Sequence, residues 1–280
     1  MNNRGAQNKG FTLVELIVTI VLVGILSSLG GRLISRPIEG YIDLERRTEL
    51  VDQAQVAVAR MRRDIRSALP NSIRISSDGK RLEMLHVVDG GRYRREVASD
   101  GSGDILSFTY ADVTFEALGG LAHPTDIRVG DMVVVYNLAA TGTVANAYYS
   151  ASGTGAATMN RKPLLAYDGA SHIITLDAGS YPYPFSSPYQ RFFIVDGAIT
   201  YMLSSGQLTR HAGYSFSNTQ YAPAAGGGDV VAKNIVLADS SFSYDSGTAG
   251  RSGLVTVQLA LEKEGERITV LNQMHVDNAP

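Results

Sequence analysis

Apolar and polar positions along the chain pass through three regimes. From Phe11 to Leu29, nineteen residues run almost without polar interruption, and Leu13, Leu16, Ile17, Val18, Ile20, Val21, Leu22, Val23, Ile25 and Leu26 cover every face of a helix. A helix that is apolar all round belongs in lipid or at the centre of an assembly. As a helix the run measures roughly 28 Å, about the hydrocarbon thickness of a bilayer. Gly30-Gly31 and Pro37 interrupt it, and Pro37 is read as a kink because a proline inside a helix removes a hydrogen bond. The second regime is amphipathic. Val51, Ala54, Val58, Met61, Ile65 and Ala68 recur at steps of three and four, opposite Glu45, Arg46, Glu49, Asp52, Arg60, Arg62, Arg63 and Arg66. Leu69-Pro70-Asn71 stops the pattern. One long helix is therefore expected from Phe11 to about Leu69, its second part half-buried on a head.

From Ser72 the period becomes strand-like. Ser72–Ile75 and Arg81–Leu85 flank Asp78-Gly79, a hairpin signal. Ile105–Tyr110, Met132–Tyr136, His172–Leu176 and Phe192–Val195 are further strand candidates. Ala198–Leu203 and Gln207–His211 form a second hairpin, and Phe242–Tyr244 a short strand. Val255–Glu262 and Glu266–Gln273 pair around Lys263-Glu264-Gly265, with Val255, Val257, Leu259 and Leu261 on one face. Ala139–Asn160 and Tyr221–Asp229 are poor in such patterning and are expected to be long mobile loops. Helix followed by strands gives an α+β fold, a long N-terminal helix packed on an antiparallel β-rich head. The expected divisions are 1–10, a leader; 11–36, a transmembrane or filament-core helix; 37–69, its amphipathic continuation; and 70–280, the head.

Composition narrows the classes. The chain has 280 residues, no cysteine and a formal net charge of −2. That charge gives no general pull toward nucleic acid. The missing thiols exclude cysteine-ligated metals and cysteine nucleophiles, and a head of roughly 200 residues can bury enough surface without disulfides.

One charge changes the picture. Glu15 is the only charged residue between Phe11 and Leu29, and the segment before it carries Arg4 and Lys9 with no acid. Basic residues hold a leader on the cytoplasmic side. A carboxylate at mid-membrane costs about 2.5–3.5 kcal/mol on insertion scales, less near an interface, so Glu15 calls for a partner. A secretory signal cut near Ser27-Ser28-Leu29-Gly30-Gly31, or a plain signal anchor, leaves Glu15 unexplained. Cleavage between Gly10 and Phe11 supplies the partner: a new amine on one subunit, paired with Glu15 of its neighbour in a non-aqueous core, would set axial register.

The stretch Lys9-Gly10-Phe11-Thr12-Leu13-Val14-Glu15 resembles the processing site of type IV pilins and type II secretion pseudopilins. The resemblance implies a type IV pilin-like fold, prepilin peptidase cutting after Gly10, N-methylation of Phe11, and Glu15 in assembly and register. Gly40-Tyr41-Ile42-Asp43, Arg62-Arg63-Asp64-Ile65-Arg66, Ala68-Leu69-Pro70-Asn71-Ser72-Ile73-Arg74 and the ending His275–Pro280 are similar to minor pilins of mannose-sensitive haemagglutinin (MSHA) pili, of the kind called MshO. J-type pseudopilins of type II secretion share the layout. The expected role is priming or capping a pilus. The expected partners are other minor and major pilins through the N-terminal helix, prepilin peptidase and the inner-membrane assembly platform. The expected location is a single pass in a bacterial inner membrane, head in the periplasm, then the pilus. A J-type pseudopilin or a tip adhesin is the alternative, with the Tyr181–Tyr189 and Tyr148-Tyr149 segments as adhesive contacts.

Catalytic chemistry is absent from the pattern, so no enzyme activity is expected. His86, His123, His172, His211 and His275 lack metal-ligand spacing, and no His-Glu-x-x-His or Gly-x-Ser-x-Gly motif occurs. Gly226-Gly227-Gly228 has no phosphate-loop lysine. Asp100-Gly101-Ser102-Gly103-Asp104 places oxygens at alternate positions, which makes Asp100 and Asp104 weak calcium candidates. Ile105 replaces the turn glycine, and Ala111 stands where a bidentate glutamate belongs, so a polar turn is the plainer reading. No other cofactor is expected. The arginines of the helix are read as a solvated face or as partners for acids on a neighbouring subunit.

Overall fold

In the computed structural model the residues described are 10–150, 157–177, 179, 181–223, 227–247 and 252–280, with the side chains of 29–39 outside the description. The chain divides into two compact units, one ending at Glu49 and one spanning Leu50–Pro280.

A single helix, α1, runs Leu13–Arg66. Its backbone stays helical through Gly30, Gly31 and Pro37, so the expected interruption does not break it. A glycine in a helix interior costs only about 1 kcal/mol, which a long helix absorbs. The side chain of Pro37 lies outside the described residues. Among the described residues no helix is long and apolar enough to cross a membrane. The helix ends at Arg66 rather than Leu69 because Ala68 bridges His86 and the Leu69 amide donates to the Leu85 carbonyl at 2.8 Å. Arg63 and Arg66 fill its last turn, where cations offset the helix dipole.

The second unit is β-rich. Its strands are β1 (Arg74–Ile75), β2 (Arg81–Tyr93), β3 (Thr114–Leu118), β4 (Met132–Val135), β5 (Arg161–Asp168), β6 (Ile173–Leu176), β7 (Arg191–Ser204), β8 (Gln207–Tyr214), β9 (Asp229–Ala232), β10 (Ser241–Asp245), β11 (Gly253–Lys263) and β12 (Glu266–Val276). They form a nine-stranded sheet in the order β1-β2-β3-β6-β5-β4-β7-β8-β9 and a three-stranded sheet β10-β11-β12. All these pairings are antiparallel. Because β2 also pairs with β7, strands β2, β3, β6, β5, β4 and β7 close on themselves. Tyr93, Phe115, Val133, Leu164, Ile174 and Phe192, one from each strand of that ring, share a core.

The long strands β2 and β7 serve two layers. Their outer halves belong to the ring. Their other halves, with β8 and the three-stranded sheet, receive the buried face of α1. Leu50, Ala54, Ala57, Val58, Met61 and Ile65 pack there with Leu82, Met84, Ile199, Tyr201, Val257 and Leu259. The expected stripe is thus the buried one, widened by Leu50 and Ala57. Register shifts in β2 around Val87 mark where the sheet bends between layers.

Both expected hairpins form, β1–β2 and β7–β8, as does the β11–β12 pair. Four differences have physical causes. Phe192–Val195 and Ala198–Leu203 are one strand, because β2 pairs continuously across Asp196-Gly197 apart from its bulge. Ile105–Tyr110 is not a strand; Asp112 accepts the Ser107 amide at 2.7 Å and folds the segment into a turn. β3, β5 and β9 were not expected, their polar or proline-containing sequences being held by neighbours in the sheet. The first half of the Ala139–Asn160 segment is packed rather than mobile: Ala145 is buried, and Ala147 and Tyr148 share a core with Leu69, Leu85, Val134 and Val195.

Candidate functional site: the N-terminal segment

Gly10 and Phe11 precede the helix, and α1 begins at Leu13. Thr12 is its cap: the Glu15 amide donates to Thr12 Oγ1 at 3.3 Å and the Leu16 amide to the Thr12 carbonyl at 3.1 Å. Thr12-x-x-Glu15 has the residue types and spacing of a capping box. The pattern was visible in the sequence, yet it is a role for Thr12 that the charge argument alone did not bring out. Glu15 lies in the first turn, where a carboxylate is stabilised by the helix dipole.

Gly10 is exposed, and a Cβ built on it meets nothing within 4 Å. A requirement for glycine there does not arise from crowding in the chain itself. Phe11 is 78% exposed, and twelve large apolar side chains between Phe11 and Leu26 are half or more exposed. At about 1.5–3 kcal/mol for each burial, covering this surface is worth on the order of 20 kcal/mol. An apolar rod of that kind demands a non-aqueous surrounding.

The expected binding residues of the head fall elsewhere. Tyr148 is fully buried; its hydroxyl donates to the Ser72 carbonyl at 3.0 Å and its ring lies 3.7 Å from the Arg74 guanidinium carbon. Burial pushes the Tyr148 hydroxyl well above its ordinary pKa. Tyr183 is buried too, donating to the Val133 carbonyl at 2.9 Å. Neither is a surface contact, and of that aromatic stretch Phe185 and Tyr189 are the rings that stay exposed. Asp100 accepts from the Ser102 amide at 2.9 Å and its hydroxyl at 2.6 Å, while Asp104 uses its carbonyl for the Glu116 amide. The neighbouring charge is cationic: Arg94 lies against Gly103 and forks onto Glu116 at 2.7 and 2.9 Å. This is a hydrogen-bonded turn, and among the described residues no group of His, Asp or Glu is placed to hold a metal.

Two of the helix arginines turn back onto the head. Arg60 reaches Asp229 at 3.1 Å and Arg62 reaches Asn272 at 3.2 Å. Asp64, in the same run, is buried and accepts from the Tyr201 hydroxyl at 2.7 Å and from Arg210 Nε at 2.6 Å. Arg74 and Glu83 form a second buried pair at 2.6 Å. The remaining Arg74 donors go to the carbonyls of Ser217, Asn218 and Thr219, and Tyr214 donates to Glu83 at 2.9 Å. His86 meets Asp196 at 2.8 Å, which raises its pKa against the opposing effect of burial. These groups tie the layers together; no nucleophile stands beside a base in them.

Residues 5–30 match the family model of the prokaryotic N-terminal methylation motif. No similar curated protein and no similar solved structure was found. The match covers Gly10-Phe11, Glu15 and the apolar run, and the Leu50–Pro280 unit holds antiparallel β-sheet and the C-terminal part of α1. The matched motif supports a type IV pilin-like protein, and with it an association with membrane and pilus.

Proposed function

We propose that the chain is a minor pilin, related to MshO of MSHA pili, that is cut after Gly10 and helps to initiate or tip a pilus. Hydrolysis of the Gly10–Phe11 bond leaves a cationic amine on Phe11, one residue ahead of the Thr12 cap. The helix dipole already makes that end positive, so the amine gains most from a carboxylate, and Glu15 of an adjacent subunit supplies it. The membrane is the proposed surrounding before assembly, with the apolar run spanning the inner membrane once and the head in the periplasm. The filament core replaces lipid afterwards, exchanging one apolar environment for another. The Leu50–Pro280 unit is bulky for a densely repeated subunit, which favours a priming or terminal position. The observation that carries the reading is the continuous exposed apolar face from Phe11 to Leu26 behind a matched methylation motif.

The mature N-terminus tests it. Mass spectrometry of native protein should show a methylated Phe11 as the first residue; material starting at Met1 would overturn the reading. Glu15→Ala should leave leader removal intact and reduce piliation, and full piliation in that variant would remove the role given to Glu15.

A further inference from the structure

Two arginines of the head are almost fully buried, and they differ in what surrounds them. Arg74 has a carboxylate and three carbonyls. Arg161, the first residue of β5, is 8% exposed and has no carboxylate in contact among the described residues. Its Nε has no hydrogen-bond partner, and Nη2 reaches only the Tyr149 carbonyl at 3.5 Å. The guanidinium carbon lies 4.6 Å from the centre of the Phe216 ring. A buried cation left in this state is costly unless something else completes it. Burial accordingly lowers the Arg161 pKa to about 10.

Arg161 and Phe216 line one cavity of about 320 Å³, together with Gly197, Gly213 and Tyr214. Its origin is topological. On one side of β7 the partner changes from β4, last paired at Val195 with Met132, to β8, which begins pairing at Ala198 with Tyr214. The two partner strands diverge at Asp196-Gly197, and Gly213, with positive φ, is the extra residue at the register shift in β8 there. The fork opens a recess with an aromatic wall and a cation set into it.

We propose that this recess binds a small carboxylate-bearing ligand of about monosaccharide size, with Arg161 as its anion anchor and Phe216 as its apolar wall. The planar fork of a guanidinium matches a carboxylate through two parallel hydrogen bonds, here from the terminal-nitrogen edge, since Nε is closed to solvent. Asp196 at the rim opposes an anion, but its carboxylate faces His86 at 2.8 Å; Asp131, between the lining residues Gly130 and Met132, is engaged by the Arg128 amide at 2.7 Å. The site does not depend on the pilin reading.

The test uses the full chain in detergent, titrated with glucuronate, with acetate and glucose as the carboxylate-only and sugar-only arms. Saturable glucuronate binding with a Kd of about 1 mM or tighter is expected, weaker for acetate and absent for glucose. Glucose binding as tightly as glucuronate, or no saturation by glucuronate, overturns the proposal. Arg161→Met removes the unpaired cation at similar volume, so it should fold with equal or higher thermal stability and bind at least about tenfold more weakly. Binding unchanged in Arg161→Met overturns the proposal. Asp196→Asn keeps the anchor and serves where Arg161→Met does not fold: tighter glucuronate binding supports the site, and unchanged or weaker binding overturns it.

Discussion

Glu83 is 1% exposed and its charge is matched by Arg74 at 2.6 Å. Removing one member of such a pair leaves the other buried and uncompensated, a loss of about 3–5 kcal/mol. Glu83→Gln should therefore lower stability by that amount in urea unfolding, and a change under about 1 kcal/mol would contradict the picture of a desolvated pair. The histidines give a second prediction at this scale. His86 is shifted up by its bond to Asp196, and His211 is shifted down by burial. NMR titration should place His86 above and His211 below the ordinary value of about 6.5, and the reverse order would refute both assignments. The sign for stability follows from the raised His86 value. Its bond to Asp196 contributes fully below the unfolded pKa of about 6.5 and fades as pH rises through the folded value. The stability difference between the native chain and Asp196→Asn should accordingly shrink from pH about 6 to about 8.5.

At the scale of elements, α1 and the strand pair β2–β7 decide the head. Met61 is wholly buried on the helix face that meets both sheets. Met61→Ala should cost about 2–5 kcal/mol, read as a drop in the denaturation midpoint. Gly90 lies in β2 opposite Phe193, and a Cβ there would stand 2.8 Å from the Phe192 carbonyl oxygen. That oxygen belongs to the backbone of β7, so it cannot swing away. Gly90→Ala should destabilise by about 1–3 kcal/mol, the usual cost of overpacking, and a neutral effect would show that β7 can shift there. The stripe at steps of three and four was legible because helix burial repeats locally. The continuity of β7 was not, since Asp196-Gly197 reads as a turn until β2 is laid beside it.

For the whole molecule, the two compact units give separable readouts. Glu15 belongs to the unit ending at Glu49, and the hydrophobic cores of the head draw on Leu50 onward. Glu15→Ala should leave the thermal unfolding of the Leu50–Pro280 unit within about 0.5 kcal/mol of native while assembly is lost. A destabilised head in that variant would mean that Glu15 acts through folding rather than through a neighbouring subunit. The same division explains how one chain can hold a bare apolar helix and a well-packed head. The first leaves its apolar side chains exposed within the chain, and the second supplies its own burial.

The amino-acid sequence by itself determined the methylation-motif segment around Gly10-Phe11, the lone acid Glu15, the long helix, its buried stripe and three of the hairpins, because each depends on residues within a few positions of one another. Tertiary structure decided the rest. Closure of β2, β3, β6, β5, β4 and β7 into a ring recruits strands with little local signal, such as β5 with its Pro163. Tyr148 and Tyr183 look like surface aromatics in a loop-rich sequence, yet neighbours more than 40 residues away accept their hydroxyls and bury their rings. Asp100 gives its carboxylate to the Ser102 amide and hydroxyl, and Asp104 its backbone carbonyl to the Glu116 amide, bonds that only the folded turn defines. Arg74 and Arg161 cannot be told apart in one dimension, because what separates them is whether the fold brings a carboxylate to the guanidinium.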